Sequence, residues 1–102
     1  MRALSIRQPF AELILRGEKT IEYRSRATTI VGQEFYIYAS KWRGAGDRDD
    51  ELMRGRLVGT ARISHVRQSN GHFEWHLTNV RRLPRPRKPA GHPQPVWFKP
   101  FP

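Results

Sequence analysis

The sequence predicts an α+β domain, a small mixed β-barrel with a short helix after the first strand and a small helical insertion. One short helical segment is followed by about five strand-like segments within 102 residues. This spacing is typical of compact barrels whose helices cover one mouth. The chain has neither a glycine-rich phosphate loop nor a regular strand–helix repeat, which excludes a dinucleotide-binding fold. We expect residues 1–102 to form one domain, because this length supports one modest core.

The first half of the chain contains a short helical pattern between strand-like segments. Pro9 suits a first helical position because no N–H is needed there. The helix then places Phe10, Leu13 and Ile14 on one face at helical spacing, and Gly17 is suited to end it in a left-handed conformation. The predicted elements are strands at residues 2–6, 20–23 and 34–39 and a helix at 10–16.

The second half contains the predicted insertion and the remaining strands. Residues 41–56 are expected to hold a short helix capped by Asp47. The Asn70-Gly71 pair predicts a hairpin turn. The basic, proline-rich segment 81–89 is expected to be an extended connector. The predicted strands of this half are residues 57–66, 73–80 and 96–98.

The positive charge lies in the second half. The net charge is +10; residues 1–51 have nine Lys/Arg and eight Asp/Glu, a net +1, and residues 52–102 have ten Lys/Arg and one Glu, a net +9. Such a basic half indicates binding to a polyanion, above all a nucleic acid, or to an anionic ligand. The alternative is an arginine-rich composition that reflects a GC-rich genome or a warm habitat.

The composition also excludes several kinds of chemistry. The chain has no cysteine, which excludes disulfides, thiolate metal sites and a cysteine nucleophile. No long apolar run and no signal-peptide pattern is present, so we expect a cytoplasmic protein without membrane association.

The stretch from Ser5 to Arg26 has the most informative pattern of polar residues. In the extended segment after the helix, side chains of equal parity share a face, so Thr20, Glu22 and Arg24 are expected to point one way. Lys19 lies at the turn, from which its ammonium group can reach the Glu22 carboxylate. This face can bind and polarise a small polar group. The alternative is a solvated surface ion pair that contributes about 0–1 kcal/mol.

Several motifs extend over nearly the whole chain: RQP at 7–9, GEKTIEYR at 17–24, FYIYAS at 35–40, GTARI at 59–63, WHLTNVRRLPRP at 75–86 and VWF at 96–98. In this combination the chain resembles the ASCH family, which has a PUA-like β-barrel and is related to the RNA-binding PUA and EVE domains. The resemblance implies that Lys19, Glu22 and Arg24 lie in a barrel-mouth cleft that binds nucleotides or RNA.

The resemblance implies two alternative functions. Small stand-alone bacterial members look like amidohydrolases that remove the acyl group from N4-acetylcytidine and related N4-acylated cytosines, and the similar size of this chain favours that activity. The products would be cytidine and a carboxylic acid, and the partner a modified pyrimidine nucleoside or nucleobase. The alternative is an RNA-binding module, with ribonuclease activity in some members, that uses the basic second half. Such hydrolases can carry threonine where this sequence has Glu22, so a threonine nucleophile cannot be assigned there.

Amide hydrolysis needs an activated nucleophile, stabilisation of the oxyanion and a proton for the departing amine. We expect Glu22 to activate water and Lys19 to stabilise charge. In a dry cleft, Lys19 would instead take a proton from water or from the hydroxyl of Ser5 or Thr20. Arg24 either positions Glu22 through a two-pronged hydrogen bond or anchors the barrel.

Other side chains are expected to contact the ligand. Gln8 is suited to recognise an amide or a pyrimidine edge, and its alternative role is to tie down the turn. Trp42 and Trp75 are candidates for exposed stacking on a base, because polar residues surround them. Glu74 would be a second carboxylate if its strand reached the mouth, and is otherwise a solvated residue. The expected binding residues are Ser5, Arg7, Gln8, Thr20, Arg24, Tyr38 and Ser40.

No metal or cofactor site is expected. The histidines at 65, 72, 76 and 92 form no metal signature, and the pattern of zinc deaminases is missing. Asp47, Asp49 and Asp50 lack the next ligand of a calcium loop, and helix-end chemistry explains them.

Overall fold

The computed structural model describes residues 1–42 and 51–102. It consists mainly of strands, with a six-residue helix directly after the first strand. The predicted helix capped by Asp47 lies outside the described residues, and residues 51–55 form no helix. The elements are β1 (Ala3–Ile6), α1 (Phe10–Leu15), β2 (Ile21–Arg24), β3 (Glu34–Ala39), β4 (Arg56–Ser69), β5 (His72–Arg87) and β6 (Trp97–Phe98).

The six strands form one mixed sheet in the order β2-β5-β4-β3-β1-β6. Strands β1 and β3 are parallel, and the other neighbours are antiparallel. The prediction of a closed barrel is wrong, because no backbone pairing joins the end strands β2 and β6 within the described residues. Closure needs two strands that can pair along their free edges, and β6 has only two residues, both paired with β1.

Side chains connect the two ends of the sheet where backbone pairing is missing. Arg24 on β2 donates from Nη2 to the Ser5 carbonyl on β1, at 2.9 Å. Trp75 on β5 stacks on Trp97 of β6, with ring centroids 5.9 Å apart. The sheet is therefore curled, and β2 lies close to β1.

The β4–β5 hairpin is longer than predicted. Strand β5 extends to Arg87, so the segment expected to be a connector belongs to the sheet. Leu57 faces Arg87 and Gly59 faces Arg82, so β5 has extra residues between these pairs. Pro84 and Pro86 lie in this irregular stretch, where a missing N–H removes no ladder hydrogen bond.

The core lies between the helix and the curled sheet. Ala11 and Ile14 are the fully buried residues of α1, whereas Phe10, predicted to share the buried face, is exposed. A Cβ at Gly59 would lie 2.4 Å from Leu15 Cδ2 and 2.6 Å from the Arg81 carbonyl oxygen. Glycine is therefore required where the helix crosses the hairpin.

Trp75 is 2% exposed and belongs to this core, so its prediction as an exposed stacking residue is wrong. Its indole Nε1 donates to the Arg26 carbonyl at 3.0 Å, which allows the polar group to be buried. Among the described residues, no helix is long and apolar enough to cross a membrane.

Candidate functional site

The end of α1 determines where the charged strand begins. Gly17 has φ of +79°, a conformation that glycine adopts without steric cost. The amides of Glu18 and Lys19 both donate to the Leu13 carbonyl, at 3.0 and 3.2 Å. The chain thus reverses tightly, and Lys19 is held two residues before β2.

Glu22 lies at the centre of a buried ion cluster, which we call the Glu22 cluster and which also contains Lys19 and Arg24. Arg24 binds one carboxylate oxygen, Oε2, through Nη2 at 2.6 Å and Nε at 3.1 Å. The other oxygen, Oε1, lies 3.5 Å from Lys19 Nζ. Lys19 Nζ also donates to the Ile21 carbonyl at 2.5 Å. All three side chains are less than one fifth exposed.

The Glu22 cluster lines a cavity of about 1000 Å³. Strands β1 and β3, the start of α1, β2 and the segment before β6 form its walls. Seven of the nine side chains that the sequence analysis selected line it, and Gln8 and Thr20 do not. The lining residues that were predicted are Ser5, Arg7, Lys19, Glu22, Arg24, Tyr38 and Ser40.

Gln8 and Thr20 have other positions. The Gln8 amide is buried, donates to the Met53 carbonyl at 2.8 Å and accepts from the Glu12 amide at 3.0 Å. It thus takes the alternative role, which is to tie down the turn. Thr20 is exposed, and its carbonyl accepts from the Leu77 amide at 2.9 Å. The Thr20 hydroxyl is therefore outside the lining of the cavity.

Glu74 does not line the cavity either. Its Oε1 lies 3.0 Å from His76 Nε2, and the His76 ring stacks on His65 with centroids 4.1 Å apart. Within the two described parts of the chain, no group of three or more His, Asp or Glu side chains is arranged to hold a metal ion.

Sequence reasoning missed one wall of the cavity. The segment 93–96 forms a lip over β1, where Ser5 Oγ donates to the Gln94 carbonyl at 2.5 Å and the Ser5 amide to the Val96 carbonyl at 2.8 Å. The two prolines that flank Gln94 are typical of a turn, and no local pattern shows that this segment folds back onto the first strand.

Aromatic rings and cations alternate along another wall, which we call the cation–aromatic ladder. The Arg7 guanidinium lies 5.0 Å from the Trp42 ring centroid and 5.5 Å from that of Phe10. Lys19 Nζ lies 5.5 Å from the Phe10 centroid and 5.0 Å from that of Tyr23. Contacts of this kind attract a cation to the ring face. Tyr23 alternates with Glu22 and Arg24 along β2, the end strand of the sheet, and its side chain also lines the cavity.

The electrostatics of the cavity are positive. Among the lining side chains that belong to residues 1–42 and 51–102, four are cations and Glu22 is the one acid. Burial of Tyr38 raises the pKa of its phenol above the ordinary value of 10.0, although the Arg56 charge opposes the rise. The phenol is therefore a neutral hydroxyl at pH 7. The four cations are Arg7, Lys19, Arg24 and Lys41.

The described residues thus form a curled mixed sheet with one buried carboxylate between two cations, beside a cavity of about 1000 Å³. The sequence profile of the ASCH domain family matches residues 4–92. The chain therefore belongs to the ASCH domain family, which confirms the resemblance seen in its motifs.

Solved structures agree with this assignment. A crystal structure of ASCH from Zymomonas mobilis matches with a TM-score of 0.62 and 16% identity, over 85% of this chain and 72% of that chain. Structures of a serine-to-alanine and a tyrosine-to-phenylalanine variant of that protein both match with a TM-score of 0.63 and 16% identity. They cover 85% of this chain and 72% and 74% of theirs. At this identity the likeness concerns the fold. None of the curated proteins matches the chain.

Proposed function

We propose that the protein is an amidohydrolase that removes the acyl group from N4-acylated cytidine or cytosine and releases cytidine or cytosine and a carboxylic acid. The observation that carries the proposal is the uneven coordination of Glu22. Arg24 makes two hydrogen bonds to Oε2, whereas Oε1 faces Lys19 at 3.5 Å and keeps acceptor capacity toward the cavity. A carboxylate held in this way can accept a proton from water.

In the proposed reaction, Glu22 takes a proton from water as the water oxygen attacks the acyl carbon. The carbonyl oxygen gains negative charge, and Lys19 stabilises it. Lys19 is suited to this because an ammonium group has three N–H donors, and one of them already binds the Ile21 carbonyl. The C–N bond then breaks, and the proton held by Glu22 passes to the amino nitrogen of cytosine.

Arg24 acts on this reaction through Glu22. It donates to the carboxylate and to the Ser5 carbonyl, so it joins the base to strand β1. This contact also orients Glu22 in one rotamer, which favours a fixed geometry of attack. Arg24 is thus a positioning residue in the proposal.

The cavity has the character expected for a nucleoside site. Ligand pockets are mostly apolar, with few polar groups and volumes of about 300–1,000 Å³, and this one is at the upper end. The exposed ring of Trp42 offers a flat surface for a base. Ser40 and the buried phenol of Tyr38 supply neutral hydroxyls near it. These groups suit the polar edge of a pyrimidine.

The test is to incubate the protein with N4-acetylcytidine and to measure cytidine and acetate by chromatography. We expect turnover by the wild type and a loss of about 10²–10³-fold in kcat for Lys19→Ala, because it removes the donor to the oxyanion. Arg16→Ala is the matched control, since this exposed cation pairs with Glu12 outside the cavity. Absence of product with the folded wild type would refute the proposal.

A second candidate function is binding of single-stranded RNA, and the observation that favours it is the charge of β5. Its last part is exposed and basic, and Lys88 follows it directly. Binding through phosphate contacts weakens steeply with salt. Salt-tolerant turnover of the free nucleoside supports the enzyme, and salt-sensitive RNA binding without turnover supports the alternative. The basic residues of this segment are Arg81, Arg82, Arg85, Arg87 and Lys88.

A further inference from the structure

The charges that line the cavity do not balance. Lys19 and Arg24 share the single carboxylate of Glu22, which both contact directly. Arg7 and Lys41 line the same cavity, and neither has a carboxylate partner among residues 1–42 and 51–102. Both side chains are exposed, so they lie at the rim. A neutral nucleoside would leave these two charges without a carboxylate counterpart among the described residues.

Arg7 is held in place by apolar contacts. Its guanidinium lies between the rings of Phe10 and Trp42, with centroids at 5.5 and 5.0 Å. These cation–π contacts use none of the guanidinium N–H groups as hydrogen-bond donors to a carboxylate, and a guanidinium can bind the oxygens of a phosphate in a bidentate manner. Within the described residues the Arg7 side chain donates no hydrogen bond. It is therefore an ordered donor that lacks an acceptor.

Lys41 lines the same cavity as Arg7. A Cβ at Gly55 would lie 2.8 Å from Lys41 Cε, so the stem of Lys41 packs against the backbone of Gly55. This contact limits how far its ammonium group can move away from the rim. Two cations thus border the opening of the cavity of about 1000 Å³. Arg7 is in contact with two aromatic rings, and Lys41 is packed by its stem. The interior of the cavity holds the Glu22 cluster.

We infer that the cavity takes a phosphorylated nucleoside, in which Arg7 binds the phosphate at the rim and Lys41 adds positive charge to the same cavity, while the base enters toward the Glu22 cluster. The inference rests on the proposed function for the identity of the base. The inferred substrate class is N4-acylated cytidine monophosphate. Arg7 is the residue that would distinguish a nucleotide from a nucleoside. The volume of the cavity accommodates more than a single base.

The experiment is calorimetric titration of the wild type with cytidine, cytidine 5′-monophosphate, cytidine 3′-monophosphate and inorganic phosphate alone. We expect at least one monophosphate to bind about tenfold or more tightly than cytidine, because a hydrogen-bonded charge pair is added. The 5′ and 3′ arms show which ester places its phosphate at the rim. Equal affinity for cytidine and both monophosphates would overturn the inference.

Variants of Arg7 test its role. Arg7→Gln should reduce the preference for the monophosphate over cytidine to near one, and Arg7→Lys should restore part of the preference. Arg2→Gln removes the same charge from an exposed arginine outside the cavity lining and should keep the full preference. A preference that persists in folded Arg7→Gln would overturn the assignment of Arg7.

The titrations need no turnover, so the two proposals can fail separately. Monophosphate binding that depends on Arg7, without hydrolysis of any N4-acetylated substrate, would refute the hydrolase and leave the phosphate site intact. Hydrolysis of N4-acetylcytidine with equal affinity for nucleoside and monophosphate would refute the phosphate site alone.

Discussion

Two glutamates in this protein are each flanked by two cations, and their surroundings differ. Glu12 on α1 accepts from Arg82 at 2.9 Å on Oε1 and 2.8 Å on Oε2, and Arg16 adds a bond of 2.8 Å to Oε2. Glu22 accepts two bonds from Arg24 on Oε2 alone, and Lys19 lies 3.5 Å from Oε1. The two carboxylates are similarly buried, with 15% and 10% of the side chain exposed.

The difference lies in what each carboxylate can still do. Both oxygens of Glu12 are occupied, and hydrogen bonding by Arg82 is the main reason that its pKa lies below the ordinary 4.5. That pair joins the helix to β5 on the outer surface and has a structural role. Glu22 keeps a partly free oxygen beside a cavity. The comparison teaches that residue type and burial do not distinguish the two carboxylates, whereas open coordination next to a cavity does.

The largest expected effect is on turnover. Glu22→Gln should reduce kcat for N4-acetylcytidine by about 10²–10⁴-fold, because an amide cannot accept the proton from water. Glu12→Gln is the matched control and should leave kcat unchanged at temperatures where it is folded. The measurement is initial-rate kinetics, with circular dichroism to confirm folding. Equal losses in both variants would mean that the two glutamates do not differ as described.

The next effect is on stability and tests the structural role of Glu12. A carboxyl whose pKa is lowered in the folded state adds stability above its ordinary pKa of 4.5, and this is lost as the pH falls through the lowered pKa. Arg82→Gln should therefore lower Tm at pH 7 by a few degrees, which corresponds to about 0.5–1 kcal/mol for a half-exposed partner. The difference should shrink in acid. It is measured by thermal unfolding over a pH series.

Arg85→Gln removes an exposed arginine from the same strand and serves as the control for Arg82→Gln. It should leave Tm nearly unchanged across the series. A loss in Arg82→Gln that is constant down to acid pH would show that the stability does not come from the ionised Glu12 carboxylate.

The smallest expected effect concerns Tyr38 in alkali. Its pKa is raised by burial, so the folded state retains a proton that the unfolded chain loses above the ordinary value of 10.0. Stability should therefore fall as the pH rises through that value toward the raised pKa. Tyr38→Phe should show a flatter decline in urea-unfolding measurements. An identical decline in wild type and variant would exclude Tyr38 as the group responsible.

The sequence predicted most of the local structure. Alternation and aromatic content predicted Glu34–Ala39 as a strand with the bounds observed, and Gly17 indicated the helix end because its positive φ suits that residue. Strand β5 was predicted too short. Its prolines suggest a break, and only the register against β4 shows that they lie where no ladder bond is required.

Part of the candidate site could also be predicted from the sequence, and part could not. Lys19, Glu22 and Arg24 are close in sequence, so strand parity and the reach of a lysine sufficed to bring them together. Phe10 was expected in the core and Trp75 on the surface, and both expectations were wrong. In a short helix or a half-buried strand, the sequence pattern does not determine which face is buried. The packing of neighbouring segments decides this.

What the sequence determined by itself is therefore local: the main strands, the turn at Gly17, the charged triplet that follows it and the family signature. The tertiary structure decided that the sheet stays open, that segment 93–96 covers β1, and that the cation–aromatic ladder forms one wall of the cavity. The physical reason is distance along the chain. Short-range patterns depend on backbone geometry, whereas a cavity depends on which remote segments pack against each other.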